Sequence, residues 1–155
     1  GYAYGGGMEL MLSCDLIVAA QHAIFCLPET KIGQAAYAGG IQHLVRSLPY
    51  ARAMKILLTG EKITAQEMLS LNLINDVVPQ EQLISTAMNY AEEIIKGAPL
   101  SVEATKAIAR SAMNQRLEDS ISTFPHELVR MLISNDTTEG GRAFTEKRLP
   151  NWTGT

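Results

Sequence analysis

Apolar positions near the start of the chain form one helical stripe followed by short apolar runs. A 3.6-residue spacing predicts a helix over residues 7–13. The next run, 16–20, is continuously apolar and predicts a buried strand. Residues 24–33 predict short extended segments around Pro28. This part of the chain is therefore expected to fold as turn, helix and strand.

The middle of the chain predicts three helices with recognisable ends. From Gly39 the pattern is helical until Pro49, which cannot continue a helix. A second helix is predicted over 50–58, with Gly60 as the residue that ends it. The segment 64–67, Thr-Ala-Gln-Glu, fits a capping box, so a short third helix is expected to begin there.

Helical patterns dominate the rest of the chain. A short strand is predicted over 73–78, and no strand pattern occurs after Gly97. The expected helices are 83–95, 100–115, 117–133 and 137–147. Pro125 should kink the third of these, because it removes an internal hydrogen bond. The chain thus divides into a mixed part, residues 1–97, and a helical part, residues 98–155.

Composition and charge narrow the function classes. The 155 residues are 46% hydrophobic and 19% charged, which is ordinary for a globular domain. The net charge of −3 is spread along the chain without a basic cluster, so no nucleic-acid-binding surface is expected. No apolar run approaches the roughly 20 residues that a membrane span needs. We therefore expect a soluble protein without nucleic-acid or membrane partners.

Cysteine and histidine are too sparse for a disulfide framework or a metal centre. Cys14 and Cys26 are expected to be reduced packing residues, and the three histidines do not pair with them at metal-ligand spacing. Two unpaired thiols favour a reducing compartment, either the cytoplasm or a mitochondrial or peroxisomal matrix.

Candidate chemistry begins with three consecutive glycines, 5–7, ahead of Glu9. Without β-carbons, a ligand oxygen could approach the backbone N–H groups, and the dipole of the following helix adds positive potential. A second carboxylate, Glu29, follows the stiff residue Pro28. An oxyanion donor beside two carboxylates suggests proton chemistry at a carbonyl compound. The glycines are equally compatible with a tight strand-to-helix turn, and an isolated Glu is more often a solvated charge.

Short motifs occur in a fixed order along the whole chain. They are Gly1-x-Ala3-x-Gly5-Gly6-Gly7-x-Glu9-Leu10, Cys14-Asp15, Ala23-x-Phe25-x-x-Pro28-Glu29-x-x-x-Gly33, Gly39-Gly40, Leu58-Thr59-Gly60-Glu61, Ile63-x-Ala65, Asn75-x-Val77-Val78-Pro79, Pro99-Leu100, Lys106 and Glu139-Gly140-x-x-Ala143-Phe144-x-Glu146-Lys147-Arg148-x-Pro150-x-Trp152-x-Gly154. In this order they resemble the crotonase family of enoyl-CoA hydratases and isomerases. Each motif alone is weak, but their joint occurrence is specific.

The resemblance implies an α/β fold. Residues 1–97 would be the C-terminal half of a crotonase-like core of spiralling ββα units. Residues 98–155 would be an all-helical region that closes the active site and packs subunits into a homotrimer, or into a hexamer built as a dimer of trimers. Members of the family carry core elements before the first motif, and the sequence opens at Gly1 without an initiator Met. We therefore expect the chain to be the C-terminal portion of a longer protein.

The resemblance also implies roles for the glycines and carboxylates. The N–H of Gly6 would donate to the thioester oxygen as half of an oxyanion hole, with the other donor in a preceding segment. Glu9 would activate water, and Glu29 would deliver a proton to the α-carbon. Having both acids favours a hydratase over an isomerase. Substrate contacts are implied for Tyr4, Gly5, Gly6, Pro28, Ile32, Tyr37, Phe144 and Lys147. No metal or redox cofactor is implied. Coenzyme A is part of the substrate and is not counted as a cofactor.

Two features leave alternatives open. Ala36 and Tyr37 stand where the family often has Pro and Gly, so Tyr37 could narrow the acyl pocket, bind a polar substituent, or be a packed or partly exposed ring. Phe144 and Lys147 match family positions that contact the adenine and phosphates of CoA, often from a neighbouring subunit. The run 146–148, Glu-Lys-Arg, is equally typical of a solvated helix end.

The leading hypothesis is an enoyl-CoA hydratase-like lyase that acts on an acyl-CoA substrate. Isomerase, carnitinyl-CoA dehydratase and acyl-CoA hydrolase activities of the same family are alternatives, as is a non-catalytic oligomerising module. We expect the 155 residues alone to be inactive, because half of the oxyanion hole would be missing.

Overall fold

The computed structural model describes residues 1–155, which divide between Met88 and Asn89 into two units. The first unit, Gly1–Met88, contains every strand, and the second, Asn89–Thr155, contains helices and a terminal segment without regular structure. This distribution confirms the predicted α/β class with a helical C-terminal region. The domain boundary predicted at residue 97 stays a prediction.

Strands and helices are mixed in the first unit. Its strands are β1 (Tyr2–Tyr4), β2 (Val18–Ala20), β3 (Ile24–Cys26), β4 (Ile63–Thr64) and β5 (Asp76–Val78). Its helices are α1 (Gly6–Leu12), α2 (Gly40–Ser47), α3 (Tyr50–Thr59) and α4 (Ala65–Ser70), with 3-10 helices at Glu29–Ile32 and Gln80–Gln82. Helix α5 (Leu83–Ile95) spans the division between the units. All five helices begin within one residue of their predicted starts.

Strand pairing brings two turns of the first unit together. Strand β1 runs parallel to β3, and the backbone N–H of Gly5 extends the pairing by donating to the Cys26 carbonyl at 2.9 Å. Because parallel strands end at the same edge, the glycine turn after β1 lies beside the Pro28 turn after β3. Strand β4 pairs antiparallel with β3, while β2 and β5 form a separate parallel pair.

The core of the first unit includes side chains from α1, α2, α3, α4, β2, β3, β4 and the segments after β3 and before β5. Its largest fully buried side chains are Met8, Leu27, Leu44, Ile56, Ile63 and Met68. Burying a side chain of this size contributes about 1.5–3 kcal/mol relative to leaving it exposed. Packing against one core therefore fixes α1 and α2 relative to the turn after β3.

The predicted capping residues are present at the end of α3 and at the start of α4. Gly60 has φ 52° and ends α3, a conformation that glycine adopts without a steric penalty. At the start of α4, the Thr64 hydroxyl accepts from the Glu67 N–H at 3.2 Å, and the Glu67 carboxylate accepts from the Thr64 N–H at 2.8 Å. These reciprocal bonds confirm the capping box.

The extended segments predicted over 24–33 are wrong for the second half of that range. Only β3 is extended, because Pro28 has ψ 7° and the chain then turns into a 3-10 helix. In that helix the Lys31 N–H donates to the Pro28 carbonyl at 2.9 Å. Glu29 therefore lies at the start of a tight helical turn.

The strands predicted over 16–20 and 73–78 are shorter in the structure. Asn75 replaces ladder pairing there: its side-chain oxygen accepts from the Ile17 N–H at 2.7 Å, and its own N–H donates to the Ile17 carbonyl at 2.8 Å. Regular pairing of β2 with β5 begins only beyond these two residues.

The second unit corrects one predicted helix. Its helices after α5 are α6 (Pro99–Ala112), α7 (Leu117–Ser122), α8 (His126–Leu132) and α9 (Asn135–Glu146). The single kinked helix predicted over 117–133 is wrong, because Pro125 separates α7 from α8. Thr123 and Pro125 are both extended, with ψ 129° and 156°. Proline also disfavours helical conformation in the residue before it, here Phe124.

The two cysteines have different surroundings. Both are free thiols, and Cys26 is buried with its thiol 3.4 Å from the Gly60 carbonyl oxygen. Burial raises the pKa of the Cys26 thiol, so it remains protonated and packs as predicted. Cys14 is exposed, so the prediction of a packing residue is wrong for that position.

A carboxylate of α9 holds the terminal segment in place. Asp136 accepts from the backbone N–H groups of Thr153 at 2.7 Å and Gly154 at 2.9 Å, and these bonds lower its pKa. Trp152, the single tryptophan of the sequence, donates its ring N–H to the Lys96 carbonyl at 2.7 Å. Fluorescence of Trp152 should therefore report whether this segment is docked.

Acid is expected to release the terminal segment. The Arg148 guanidinium, bonded at 2.6 and 3.0 Å, and the Asn151 N–H lower the pKa of Glu139 from 4.5 to about 2. Because the pKa is lower in the folded state, this pairing stabilises the fold fully above pH ~4.5 and is lost as the pH falls towards ~2. The urea midpoint of unfolding, followed by Trp152 fluorescence, should decrease over that range.

Glu139→Gln is expected to be less stable than wild type at pH 7 and to lose less stability on acidification. Glu118→Gln is the control, because the Glu118 carboxylate is exposed and lies 3.9 Å from its cationic neighbour Arg116. That control should follow the wild-type curve. Parallel pH curves for Glu139→Gln and wild type would contradict the assignment.

None of the helices combines the length and the apolar character that crossing a membrane requires.

Candidate active site

The glycine turn ends a strand and begins a helix within one residue. Gly5 has φ 54° and ψ −127°, a combination that L-residues with a side chain rarely adopt. Its carbonyl accepts from the N–H groups of Met8 at 2.8 Å and Glu9 at 3.0 Å, which starts α1. The predicted strand-to-helix turn is therefore present, and glycine is required at its first position.

The backbone after Gly5 is open to approach from outside the chain. Gly6 and Gly7 occupy the first turn of α1, where N–H groups have no partner within the helix. Both residues are exposed, and a β-carbon on either would meet no atom within 4 Å. An oxygen atom could therefore reach these N–H groups, although the oxyanion role of Gly6 stays a prediction.

Glu9 is buried in α1 and oriented by the start of α2. Only 7% of its surface is exposed, and its Oε1 accepts from the Gly40 N–H at 3.1 Å. A β-carbon on Gly40 would lie 3.1 Å from Cγ of Glu9 and 2.9 Å from Cβ of Ala36. The absence of a side chain at Gly40 therefore permits the close approach that fixes one carboxylate oxygen of Glu9.

Glu29 is buried in the neighbouring turn and has an unmet hydrogen-bonding requirement. It is 8% exposed, and its Oε2 is buried without any hydrogen-bond partner in the chain. Leaving a buried acceptor unsatisfied costs about 1–3 kcal/mol, so such an atom calls for a specific explanation. A donor from outside the chain, such as water or a substrate, would satisfy it.

The two carboxylates flank one turn. Oε1 of Glu29 lies 3.2 Å from the position that a β-carbon on Gly5 would occupy, and Gly5 begins the helix whose first turn holds Glu9. Glu9 therefore follows Gly5 along α1, and Glu29 lies beside Gly5 in space. Both acids are on elements fixed by the core. This arrangement offers two proton-transfer groups beside open N–H donors.

A cavity of about 200 Å³ adjoins Glu29. Its lining residues come from the segment after β3, from α2 and from α3, and nearly all are aliphatic. They are Leu27, Glu29, Thr30, Ala35, Ala36, Ile41, Met54, Leu57 and Leu58. Glu29 forms one wall of the cavity, and Ala36 of another wall lies against Gly40, the residue whose N–H donates to Glu9.

The other predicted contact residues of the first unit lie around the turns. Tyr4 ends β1, and its hydroxyl is buried without a hydrogen-bond partner in the chain. Pro28 is half-buried at the start of the Glu29 turn. Ile32 and Tyr37 are exposed, and neither lines the cavity. Tyr37 is 78% exposed in this chain, and its part in an acyl pocket stays a prediction.

Phe144 and Lys147 belong to the second unit. Phe144 is 88% exposed near the end of α9, and Lys147 closes the helix with φ 55°. In the run 146–148, Arg148 pairs with Glu146 at 2.6 Å, whereas Lys147 makes no ion pair. The cationic side chain of Lys147 and the exposed ring of Phe144 therefore both belong to the C-terminal end of α9.

Sequence reasoning missed two parts of this site. Gly40 was visible only as the second member of a Gly-Gly pair, and nothing local indicated that its N–H reaches Glu9. The cavity residue Met54 lies in the stripe of α3 that indicates ordinary core packing. No group of three or more His, Cys, Asp or Glu side chains is arranged to hold a metal ion.

Known proteins are similar to this chain in sequence and in fold. The family model described as enoyl-CoA hydratase/isomerase matches residues 1–155. The chain is 45% identical over 155 residues to an (E)-benzylidenesuccinyl-CoA hydratase of Thauera aromatica and 39% identical over 158 residues to a carnitinyl-CoA dehydratase of Salmonella arizonae. In both cases the match covers 99% of the chain and 60% of the relative.

Solved structures of enoyl-CoA hydratases have the same fold as this chain. The crystal structure of an enoyl-CoA hydratase from Mycobacterium tuberculosis superposes with a TM-score of 0.94 at 40% identity, covering 100% of this chain and 62% of that one. An enoyl-CoA hydratase from Mycobacterium marinum gives 0.93 at 40% identity, with 100% and 64% coverage.

The fold defines a crotonase-type protein. The chain belongs to the enoyl-CoA hydratase/isomerase family, which confirms the resemblance inferred from its motifs. It spans about three fifths of the length of the curated relatives that it matches.

Proposed function

We propose that the protein carrying this chain is an enoyl-CoA hydratase-like lyase, which adds water to a 2-enoyl-CoA thioester or removes it. The observation that carries the proposal is the pair of buried carboxylates, Glu9 and Glu29, on either side of a glycine turn with open N–H groups. The names of the two relatives, one a hydratase and one a dehydratase, support the same reaction in its two directions.

The glycine turn would stabilise the charged intermediate. Negative charge develops on the thioester oxygen when water attacks the β-carbon or when the α-carbon loses a proton, and the Gly6 N–H would donate to that oxygen. A fixed donor of this kind is typically worth about 3 kcal/mol of transition-state stabilisation. In the proposed mechanism a second donor comes from outside these 155 residues.

The two carboxylates would share the proton transfers. Water gives its oxygen to the β-carbon and a proton to Glu9, one of whose oxygens is held by Gly40. Glu29, entering the step protonated, gives its proton to the α-carbon. Proton exchange with solvent then restores both groups.

Two acids favour hydration over isomerisation. Moving a double bond within an acyl chain needs one group that takes and returns a single proton, whereas hydration also needs water to be activated. Glu9 is buried and oriented, so it is available for that second task.

Binding of CoA and subunit assembly are also part of the proposal. The exposed ring of Phe144 and the unpaired charge of Lys147 support contact with the adenine and a phosphate of CoA. Exposed apolar side chains on α7, namely Leu117 and Ile121, support assembly into a homotrimer or hexamer. Two free thiols support a reducing compartment, the cytoplasm or an organellar matrix.

Hydration of crotonyl-CoA by the protein expressed from its whole reading frame tests the proposal. We expect loss of the absorbance of the conjugated double bond together with formation of a 3-hydroxyacyl thioester. The 155 residues assayed alone should be inactive, because one oxyanion donor is missing. A shifted double bond without a hydroxylated product would favour an isomerase, and free CoA would favour a hydrolase. No reaction of any kind would favour a non-catalytic oligomerising module.

A further inference from the structure

We propose that the cavity beside Glu29 binds the substituent on the β-carbon of the substrate, and that this substituent is a neutral apolar group about the size of a phenyl ring. The inference rests on the proposed acyl-CoA activity and specifies its substrate class. The location of the cavity supports it. Glu29 forms one wall, and Ala36 of another wall lies against Gly40, whose N–H donates to Glu9.

The size and lining of the cavity define what it can hold. It measures about 200 Å³, and an apolar cavity of about 150 Å³ in another protein is large enough to take benzene. Its walls are aliphatic side chains from two helices and a loop, among them Leu27, Ile41, Met54 and Leu57. A β-methyl group would leave most of this volume unfilled, whereas a phenyl ring or a short branched chain would fill it.

The lining also selects against a cationic substituent. A quaternary ammonium group is usually bound by the faces of aromatic rings, and no aromatic side chain lines this cavity. Its one ionisable side chain is Glu29, which the proposed mechanism uses in the neutral, protonated form. A neutral apolar group therefore fits better than a trimethylammonium group of similar volume.

Two rim positions allow the volume to be changed without disturbing the core. Ala35, in the loop before α2, and Leu58, at the end of α3, both line the cavity and are exposed. Larger side chains at these positions can reduce the cavity from two independent segments. Ala38 is exposed in the same loop and does not line the cavity, so it provides a matched control.

Calorimetric titration with saturated thioesters, which cannot be hydrated, tests the inference on the protein expressed from its whole reading frame. We expect 3-phenylpropanoyl-CoA to bind at least tenfold more tightly than butanoyl-CoA. Ala35→Phe and Leu58→Trp should each weaken binding of 3-phenylpropanoyl-CoA at least tenfold and change that of butanoyl-CoA less than twofold. Ala38→Phe should change neither, and melting temperatures verify that all variants fold.

Three outcomes would overturn the inference: equal affinities for the phenyl and methyl thioesters, equal losses for both ligands in the rim variants, or tighter binding of 4-trimethylammoniobutanoyl-CoA than of 3-phenylpropanoyl-CoA. Failure of the proposed function is separate and is seen as absence of crotonyl-CoA hydration. Binding preferences are measured without turnover, so the two failures are distinguishable.

Discussion

Replacing either Glu9 or Glu29 by Gln is expected to lower kcat for crotonyl-CoA hydration by about 10²–10⁴-fold, the usual contribution of a positioned acid or base. Glutamine matches the volume of glutamate but cannot carry the proton. In Glu9→Gln the side-chain amide oxygen can still accept from the Gly40 N–H, so the fold around α1 should be kept. The measurement is the steady-state rate of each variant in the protein expressed from its whole reading frame.

The melting temperature of Glu29→Gln and a control variant at an exposed glutamate complete this prediction. Oε2 of Glu29 is buried without a partner, so Glu29→Gln should not lower the melting temperature. Glu92→Gln makes the same Glu-to-Gln change at an exposed position of α5 and should leave kcat unchanged. Wild-type rates in both active-site variants would end the assignment of proton transfer to these acids.

Gly40→Ala is expected to damage both the fold and the proposed site. The added β-carbon would lie 2.9 Å from Cβ of Ala36 and 3.1 Å from Cγ of Glu9, closer than such carbons normally approach. Overpacking of this kind typically costs about 1–3 kcal/mol, and a displacement of about 1 Å in a reacting group can cost 10²-fold in rate. Unfolding by urea and the rate of crotonyl-CoA hydration measure the two effects.

Gly141→Ala is the matched control for that substitution. Gly141 lies inside α9, and a β-carbon there would meet no atom within 4 Å. Because alanine is favoured over glycine in helix interiors by about 1 kcal/mol, this variant should be slightly more stable than wild type. If Gly40→Ala were as stable and active as Gly141→Ala, the close contact between Gly40 and Glu9 would not matter.

The sequence predicts elements whose signals are local. Helix α4 is an example, since its capping box consists of Thr64 and Glu67, three residues apart. Prediction was weaker where the neighbour is distant in sequence. The Asn75 side chain shortens two strands by bonding to Ile17, and the spacing of apolar residues carries no information about that contact. At Pro125 the local signal was present, but its effect was a complete break between helices rather than a kink.

The candidate site also has parts that the sequence predicts from local motifs and parts that depend on contacts between distant residues. Glu9, Glu29 and the glycine turn could be selected from motifs, because each motif is short and contiguous. The contact between Gly40 and Glu9 joins residues 31 positions apart and depends on how α2 packs against α1. The cavity depends on the packing of α3 as well, so its volume and aliphatic lining followed only from the structure.

The most direct test of the central claim follows the reaction of crotonyl-CoA in ²H₂O by proton NMR, using the protein expressed from its whole reading frame and its Glu29→Gln variant. If the flanking carboxylates move protons at one thioester, the wild type will form a 3-hydroxybutanoyl thioester with one deuteron on its α-carbon, and the variant will form it at least ~10²-fold more slowly. Equal rates of α-deuteration in the two proteins, or no hydroxylated product from the wild type, would contradict the claim.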